Sequence, residues 1–168
     1  MLNKKVQKKK TKNRGYGLFA IKAIKKGEII WKMDDSCKIL PFSPEVKKKY
    51  PRVFQWGNHY VLGDNDSDYM NHSCDPTCWW GSDTTLIARR DIKPGEEITY
   101  DYSSSDVEPD WVAKWECSCG AKNCRKRIKN KDCLRADFQK LHGEHLPSWT
   151  KEFIRNNSTK NNRLIKEK

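Results

Sequence analysis

The sequence predicts a mainly β protein of small sheets, with a metal-stapled segment and short helices toward its C-terminus. Three observations lead there. Ile24-Lys25-Lys26-Gly27-Glu28-Ile29-Ile30 and Ile92-Lys93-Pro94-Gly95-Glu96-Glu97-Ile98 share one pattern, a tight turn between apolar runs. Pro94 presets its turn and Gly95 relaxes it, and such turns join short antiparallel strands. The chain also lacks a βαβ rhythm and a G-x-G-x-x-G fingerprint, which disfavours a doubly wound dinucleotide-binding fold. Third, Cys117-Ser118-Cys119-Gly120-Ala121-Lys122-Asn123-Cys124 sets three cysteines at C-x-C-x₄-C spacing, one short of a closed tetrahedral site.

The elements follow in order. Residues 1–13 are rich in lysine and read as a solvated basic tail. Gly15-Tyr16-Gly17-Leu18-Phe19-Ala20-Ile21 reads as a glycine-flexed turn entering a strand, and Ile24 to Ile30 as a turn and a second strand. Ser43 to Tyr50 suits a short helix, and Val53 to Leu62 is extended. Thr84 to Ala88 and Ile98 to Tyr102 flank the second turn as strands. Beyond the cysteines, Leu134, Phe138 and Leu141 recur at helical spacing, with Gly143 placed to stop the helix. Trp149 and Phe153 mark a second, shorter helix after Pro147.

Composition bounds the function. The 168 residues suit one compact domain, and with 33% charged against 36% apolar residues its modest core would gain from a metal staple. No apolar run approaches the roughly 18 residues of a membrane span, so no membrane partner is expected. The basic N-terminus has no apolar stretch behind it and is not a secretory signal. Seven clustered cysteines suit metal ligation in a reducing, intracellular compartment better than disulfides. The net charge of +12 gathers in Lys4, Lys5, Lys8, Lys9, Lys10, Lys12 and Arg14, and again in Lys151, Arg155, Lys160, Arg163, Lys166 and Lys168. These ends are solvated tails, or else a handle for nucleic acid and a nuclear address. Two acidic patches between them, Asp64, Asp66 and Asp68, then Asp106, Glu108 and Asp110, would attract a basic peptide.

Cys74, in Asn71-His72-Ser73-Cys74-Asp75-Pro76, can complete the ligand set. Four thiolates close a zinc tetrahedron at about 2.3 Å and leave no open position. Cys74, Cys117, Cys119 and Cys124 would therefore hold one structural ion and pin a C-terminal flap against Asn71-His72. Cys37, Cys78 and Cys133 read as buried or incidental, with competition for the metal the alternative for Cys78, which stands close to Cys74. On a strand, Tyr100 and Tyr102 share a face, either lining a cavity or forming a core ladder.

Asn71 to Pro76, Gly95 to Tyr102 and the C-x-C-x₄-C segment, in that order, resemble a SET-domain protein lysine methyltransferase with a post-SET zinc segment. Arg14-Gly15-Tyr16-Gly17-Leu18-Phe19-Ala20 resembles that family's R-G-x-G-x-F-A opening, so the likeness spans Arg14 to Cys124. It implies small β-sheets around a pseudo-knot, in which the segment carrying Tyr100 and Tyr102 passes the loop of Asn71 and His72. The domain would occupy residues 14–103, a linker and zinc segment 104–132, and a helical basic tail 133–168. S-adenosylmethionine would bind near Gly15, Tyr16, Gly17, Asn71, His72 and Tyr102. The catalytic tyrosine falls on Tyr102, and the position that tunes methylation extent on Tyr100, where tyrosine favours monomethylation. Thr77 stands where the family usually has asparagine.

The activity so implied is methyl transfer to a lysine of a histone or other basic protein, at chromatin or in the cytosol. The basic ends would touch nucleosomal DNA. Tyr16, Trp56, Trp111 and Trp115 are candidates for cofactor and lysine walls, and one of Phe54, Trp56 or Tyr60 for a further channel aromatic. Two other classes compete: a catalytically inactive binding module of the same fold, and a zinc-stabilised nucleic-acid binder.

Overall fold

The computed structural model describes residues 1–63 and 66–166, with side chains of the last helix described as far as Ser158. Its strands in chain order are β1 (Val6–Lys10), β2 (Tyr16–Ala20), β3 (Ile29–Lys32), β4 (Lys38–Pro41), β5 (Phe54–Trp56) and β6 (His59–Leu62). Then come β7 (Asn71–His72), β8 (Cys78–Ser82), β9 (Thr85–Ala88) and β10 (Glu97–Tyr100). The α-helices are α1 (Pro44–Lys49), α2 (Ala136–His142) and α3 (Ser148–Lys166). Three small sheets result, ordered β1-β2-β10-β7, β3-β9-β8 and β4-β6-β5.

The two similar turns pack against each other. Ile24 and Ile92 exchange both backbone hydrogen bonds, at 3.0 and 2.8 Å, and both side chains are buried. Gly27 and Gly95 take φ of +83° and +87°, where a side chain would be strained. Val53 to Leu62, expected as extended, is the β5–β6 hairpin, turning at Gly57. The helix expected over Ser43 to Tyr50 is α1, with the Ser43 hydroxyl accepting from the Val46 N–H at 3.3 Å.

Three expectations change. The lysine-rich start is no free tail: β1 pairs along its whole length with β2, from Val6↔Ala20 to Lys10↔Tyr16. Val6 is its one buried side chain, and the lysines occupy an edge strand that tolerates them. The strand expected over Ile98 to Tyr102 ends at Tyr100, because Tyr102–Ser104 turns into a 3₁₀ segment capped by Asp101. The last helix is longer than α2, running from Ser148 to Lys166. Asp64 and Lys168 lie outside the described residues, as do the side chains of Lys160, Arg163 and Lys166. Among the described residues no helix is long and apolar enough to cross a membrane.

The arrangement that makes a site is the parallel pairing of β10 with β7, Thr99↔Asn71 and Tyr100↔His72. It sets the two tyrosines beside Asn71-His72, the juxtaposition implied by the resemblance. Thr77 supports the pass: its hydroxyl accepts from the Thr99 N–H at 2.8 Å and donates to the Glu97 carbonyl at 3.2 Å. The threonine thus supplies side-chain bonding where asparagine was usual.

Candidate active site

Tyr100 and Tyr102 lie together although only one is on the strand. Their ring centroids are 4.9 Å apart at 47°. The Tyr102 hydroxyl donates to the Met70 carbonyl at 2.9 Å, and its N–H donates to His72 Nδ1 at 3.2 Å. Burial raises both phenol pKa values well above their ordinary value, so both stay neutral in any working range.

A cavity of about 690 Å³ opens over this pair. Trp31, Phe54, Trp80 and Leu86 make its apolar wall. Of the three candidates for a channel aromatic, Phe54 is the one that lines this cavity. Tyr60 instead turns its hydroxyl to Glu108 at 2.7 Å, and Trp56 donates to the Asp83 carbonyl at 3.0 Å. Trp111 and Trp115 reach the cavity from the segment before the cysteines. Of the acidic residues, Asp68, Asp106 and Asp110 line it, whereas Asp66 pairs with Lys8 and Glu108 with Lys47.

A second cavity of about 280 Å³ adjoins the first, and Arg14, Asn71, Tyr102 and Trp115 line both. Gly15 and Tyr16 face the larger space and His72 the smaller. Gly17 lines neither. A Cβ there would fall 2.5 Å from Glu97 Oε1 and 2.8 Å from Asn71 Nδ2, so glycine lets Glu97 bridge the strands. Glu97 pairs with Arg14 and accepts from Asn71 Nδ2 at 2.8 Å, while the same amide donates to the Tyr16 carbonyl at 3.0 Å.

The sulfur atoms of Cys74, Cys117, Cys119 and Cys124 lie within 4.8 Å of one another, an arrangement that could hold a metal ion. Cys78 does not compete: it is fully buried in the core beside Thr77. Burial pushes the Cys117 thiol up to about 12, although the Cys119 N–H bonded to it pulls the other way. Burial also lowers the pKa of His72 to about 4, helped by Arg125 and Arg14 and opposed by Asp101. The neutral ring accepts at Nδ1, so Nε2 carries the proton and donates to Cys74 Sγ at 3.3 Å.

One part of the site was missed in the sequence. Asp101, fully buried between the tyrosines, is gripped by both terminal nitrogens of Arg125 at 2.8 and 2.7 Å, with His72 and His142 at 3.6 and 3.7 Å. Burial alone would raise its carboxyl, but His142, Arg125 and His72 hold it well below the usual carboxylate range. The C-terminal helices press on the same turn. Trp149 donates to the Ser105 carbonyl and Thr150 to the Ser104 carbonyl, each at 2.9 Å.

A sheet arrangement of this kind, with paired phenols under two joined cavities, defines a class. The chain belongs to the SET-domain family, whose model matches residues 15–103. It is 33% identical over 129 residues to histone-lysine N-methyltransferase set-2 of Caenorhabditis elegans, and 34% identical over 136 residues to histone-lysine N-methyltransferase trr of Drosophila melanogaster. Those alignments cover 66% and 70% of this chain but only 8% and 5% of the relatives, so the chain spans under a tenth of their length. Among solved structures it resembles the methyltransferase domain of human SETMAR, with a TM-score of 0.56, 23% identity, and coverage of 74% of this chain and 58% of that one. Arabidopsis thaliana SUVH6 in complex with SAM matches with the same TM-score at 21% identity, over 75% of this chain and 33% of that one.

Proposed function

We propose that this chain is a protein-lysine N-methyltransferase, moving a methyl group from S-adenosylmethionine to a lysine of a histone or another basic protein at chromatin. The meeting of two cavities at Tyr102 carries the reading, because a two-substrate transfer needs a donor and an acceptor space joined at one point. The residues present fit the donor. Tyr16 and Trp115 are large aromatics left 50% and 45% exposed at the cavity, flat faces suited to an adenine ring and a sulfonium cation. When bound, the cofactor supplies an electrophilic methyl carbon.

The chain's own residues would then align an amine. Its free pKa is about 10.4, so releasing it near pH 7.4 costs about 4 kcal/mol. The Trp31, Phe54, Trp80 and Leu86 wall disfavours the ammonium and lowers that cost. Tyr102, tethered to Met70, keeps lone pairs to accept from the amine without bearing charge. Tyr100 beside it narrows the space around the nitrogen, giving a lean to monomethylation. We assign zinc to the four thiols. A tetrahedron at 2.3 Å needs sulfurs about 3.8 Å apart, and Cys74 and Cys117 stand at 4.0 Å.

Incubation with labelled S-adenosylmethionine, core histones and a lysine-peptide library tests this. Transfer to lysine is the expected result. Cofactor binding without transfer to any substrate would establish an inactive module, and salt-sensitive DNA binding without cofactor affinity a nucleic-acid binder. Tyr102→Phe is expected to slow single-turnover transfer about 100-fold, the scale of a misaligned reacting pair, with cofactor affinity unchanged. Tyr100→Phe should shift products toward dimethyl- and trimethyl-lysine by mass spectrometry. An unaltered product distribution would remove Tyr100 from that role.

A further inference from the structure

One group in the larger cavity has no part in the alignment just described. Asp106 is only 6% exposed, yet its side chain lines the space that holds Tyr100 and Tyr102. Its place is fixed on both sides. Its own N–H donates to the Tyr102 carbonyl at 2.8 Å, and its Oδ1 accepts from the Gln55 N–H at 3.3 Å. Gln55 is buried as well, and its Oε1 accepts from the Val107 N–H at 2.9 Å. The carboxyl is thus built into the wall by the catalytic turn and the β5 hairpin together.

Among the described residues Asp106 makes no ion pair. Lys47 of α1, the cation whose charge acts on it, spends its ammonium on Glu108. A buried carboxylate with one long neutral hydrogen bond is costly, and folds rarely keep one without use. Arg14, Arg52 and Lys114 line the cavity too, but Arg14 pairs with Glu97, Arg52 sits over the Tyr69 ring, and none of them pairs with Asp106. A lysine side chain entering the space delivers the missing partner.

We propose that Asp106 is a third catalytic group of this site, receiving the ammonium of the substrate lysine and accepting its proton before methyl transfer. The assignment rests on the lysine methyltransferase reading above. The proton passes from nitrogen to a carboxylate oxygen, leaving a neutral amine and a carboxylic acid. The freed lone pair takes the methyl as the S–CH₃ bond breaks, so nitrogen gains the positive charge and sulfur becomes a neutral thioether. The proton on Asp106 returns to solvent once the methylated lysine leaves, which restores the carboxylate and balances the reaction.

Burial pushes the Asp106 carboxyl up to about 7, with Glu108 adding to the rise and Lys47 and the Gln55 N–H opposing it. Tyr100 and Tyr102, which face it from β10 and the turn, stay neutral over this range. A base poised near the working pH is the efficient one. The same shift has a stability sign. The folded carboxyl binds its proton more tightly than the unfolded one, so its burden on the fold grows as pH rises from about 4 to 7.

Asp106→Asn keeps the shape and the acceptor for Gln55 but cannot take a proton. With recombinant histone H3 as substrate, the variant is expected to transfer methyl at least tenfold more slowly at pH 7.5. The deficit should shrink as pH approaches 10, where free amine arises without help. Melting of the cofactor-free proteins gives a readout apart from activity: the variant should melt higher than wild type at pH 8 and lose the advantage at pH 4. A variant that matches the wild-type rate, keeps a constant deficit across pH, or melts lower at pH 8 overturns the assignment alone. A wild-type protein that methylates no lysine overturns the reading it rests on.

Discussion

Protein dialysed against a zinc chelator is expected to lose methyl transfer and become sensitive to protease between Trp111 and Arg125, with its three sheets still folded. The sulfurs come from two remote stretches, so a zinc ion held by them would tie the Asn71-His72 segment to the flap. Polar contacts reach the flap at its far end, where Asn123 donates to the Cys74 carbonyl at 3.2 Å and Arg125 grips Asp101, but its apolar support is small. Its buried cluster consists of Cys74, Cys117 and Ile128, with only partly buried neighbours such as Trp111 and Ala113 around it. The main core, from Leu18 and Ile30 to Trp80 and Ile98, is separate and has no need of the metal. Binding free energy of zinc to cysteine sites is on the order of 10 kcal/mol in folded peptides, far more than this cluster supplies by burial. Loss of a bound ion would also free Trp115, whose ring lies 6.2 Å from Tyr102 and 5.8 Å from His72. Zinc added back should restore activity. A metal-free preparation that turns over normally, or a Cys117→Ser variant with wild-type protease resistance, would sink the idea.

What the sequence revealed and what it hid divide along physical lines. Gly27 and Gly95 announced their turns because a positive φ has few other occupants. The cysteines announced their cluster because thiolate spacing is chemically narrow. Nothing local said that Ile24 and Ile92 would pair, since the two turns are remote in sequence and meet only in the packed fold. β1 was hidden because its lysines match a solvated tail, and pairing with β2 is settled by backbone bonding that composition does not report. Phe54 could not be separated from Tyr60 without the hairpin register, which pairs Tyr60 with Gln55 and so turns it to the other face; Trp56 shares the face of Phe54 but sits nearer the turn, opposite His59.

The C-terminal helices were legible as helices but not as part of the site. Leu134, Phe138 and Leu141 gave a period, and Gly143 a stop, yet periodicity cannot say what a helix leans on. Here Trp149 and Thr150 hold the carbonyls of Ser105 and Ser104, the turn that follows Tyr102. Asp101 was invisible for a related reason, since a charged residue reads as surface unless its partners are known.

Arg125→Met is expected to destabilise the fold by about 3–5 kcal/mol, because it leaves Asp101 buried without its counterion. The methionine keeps apolar contact with the Phe138 ring, over which the guanidinium now sits at 5.5 Å, so lost charge pairing should dominate lost packing. Adding Asp101→Asn to this variant should recover much of the loss, as breaking a buried pair costs more than removing it. The pH dependence distinguishes the mechanism. In the wild type the Asp101 carboxyl is held below its unfolded value of about 3.9, so its stabilisation is complete above that pH and disappears as pH falls. Without Arg125, burial should reverse the direction, and the variant should gain stability as pH falls toward 4. Between pH 4 and 8 the wild-type Asp101 contribution is constant, so the stability difference between the two proteins, read from melting curves, should widen as pH rises. Parallel slopes would mean that Arg125 acts through packing alone. Methyl transfer should fall with stability held constant at low temperature, since Asp101 lies between the two tyrosines and a shift of about 1 Å there is worth on the order of 100-fold in rate.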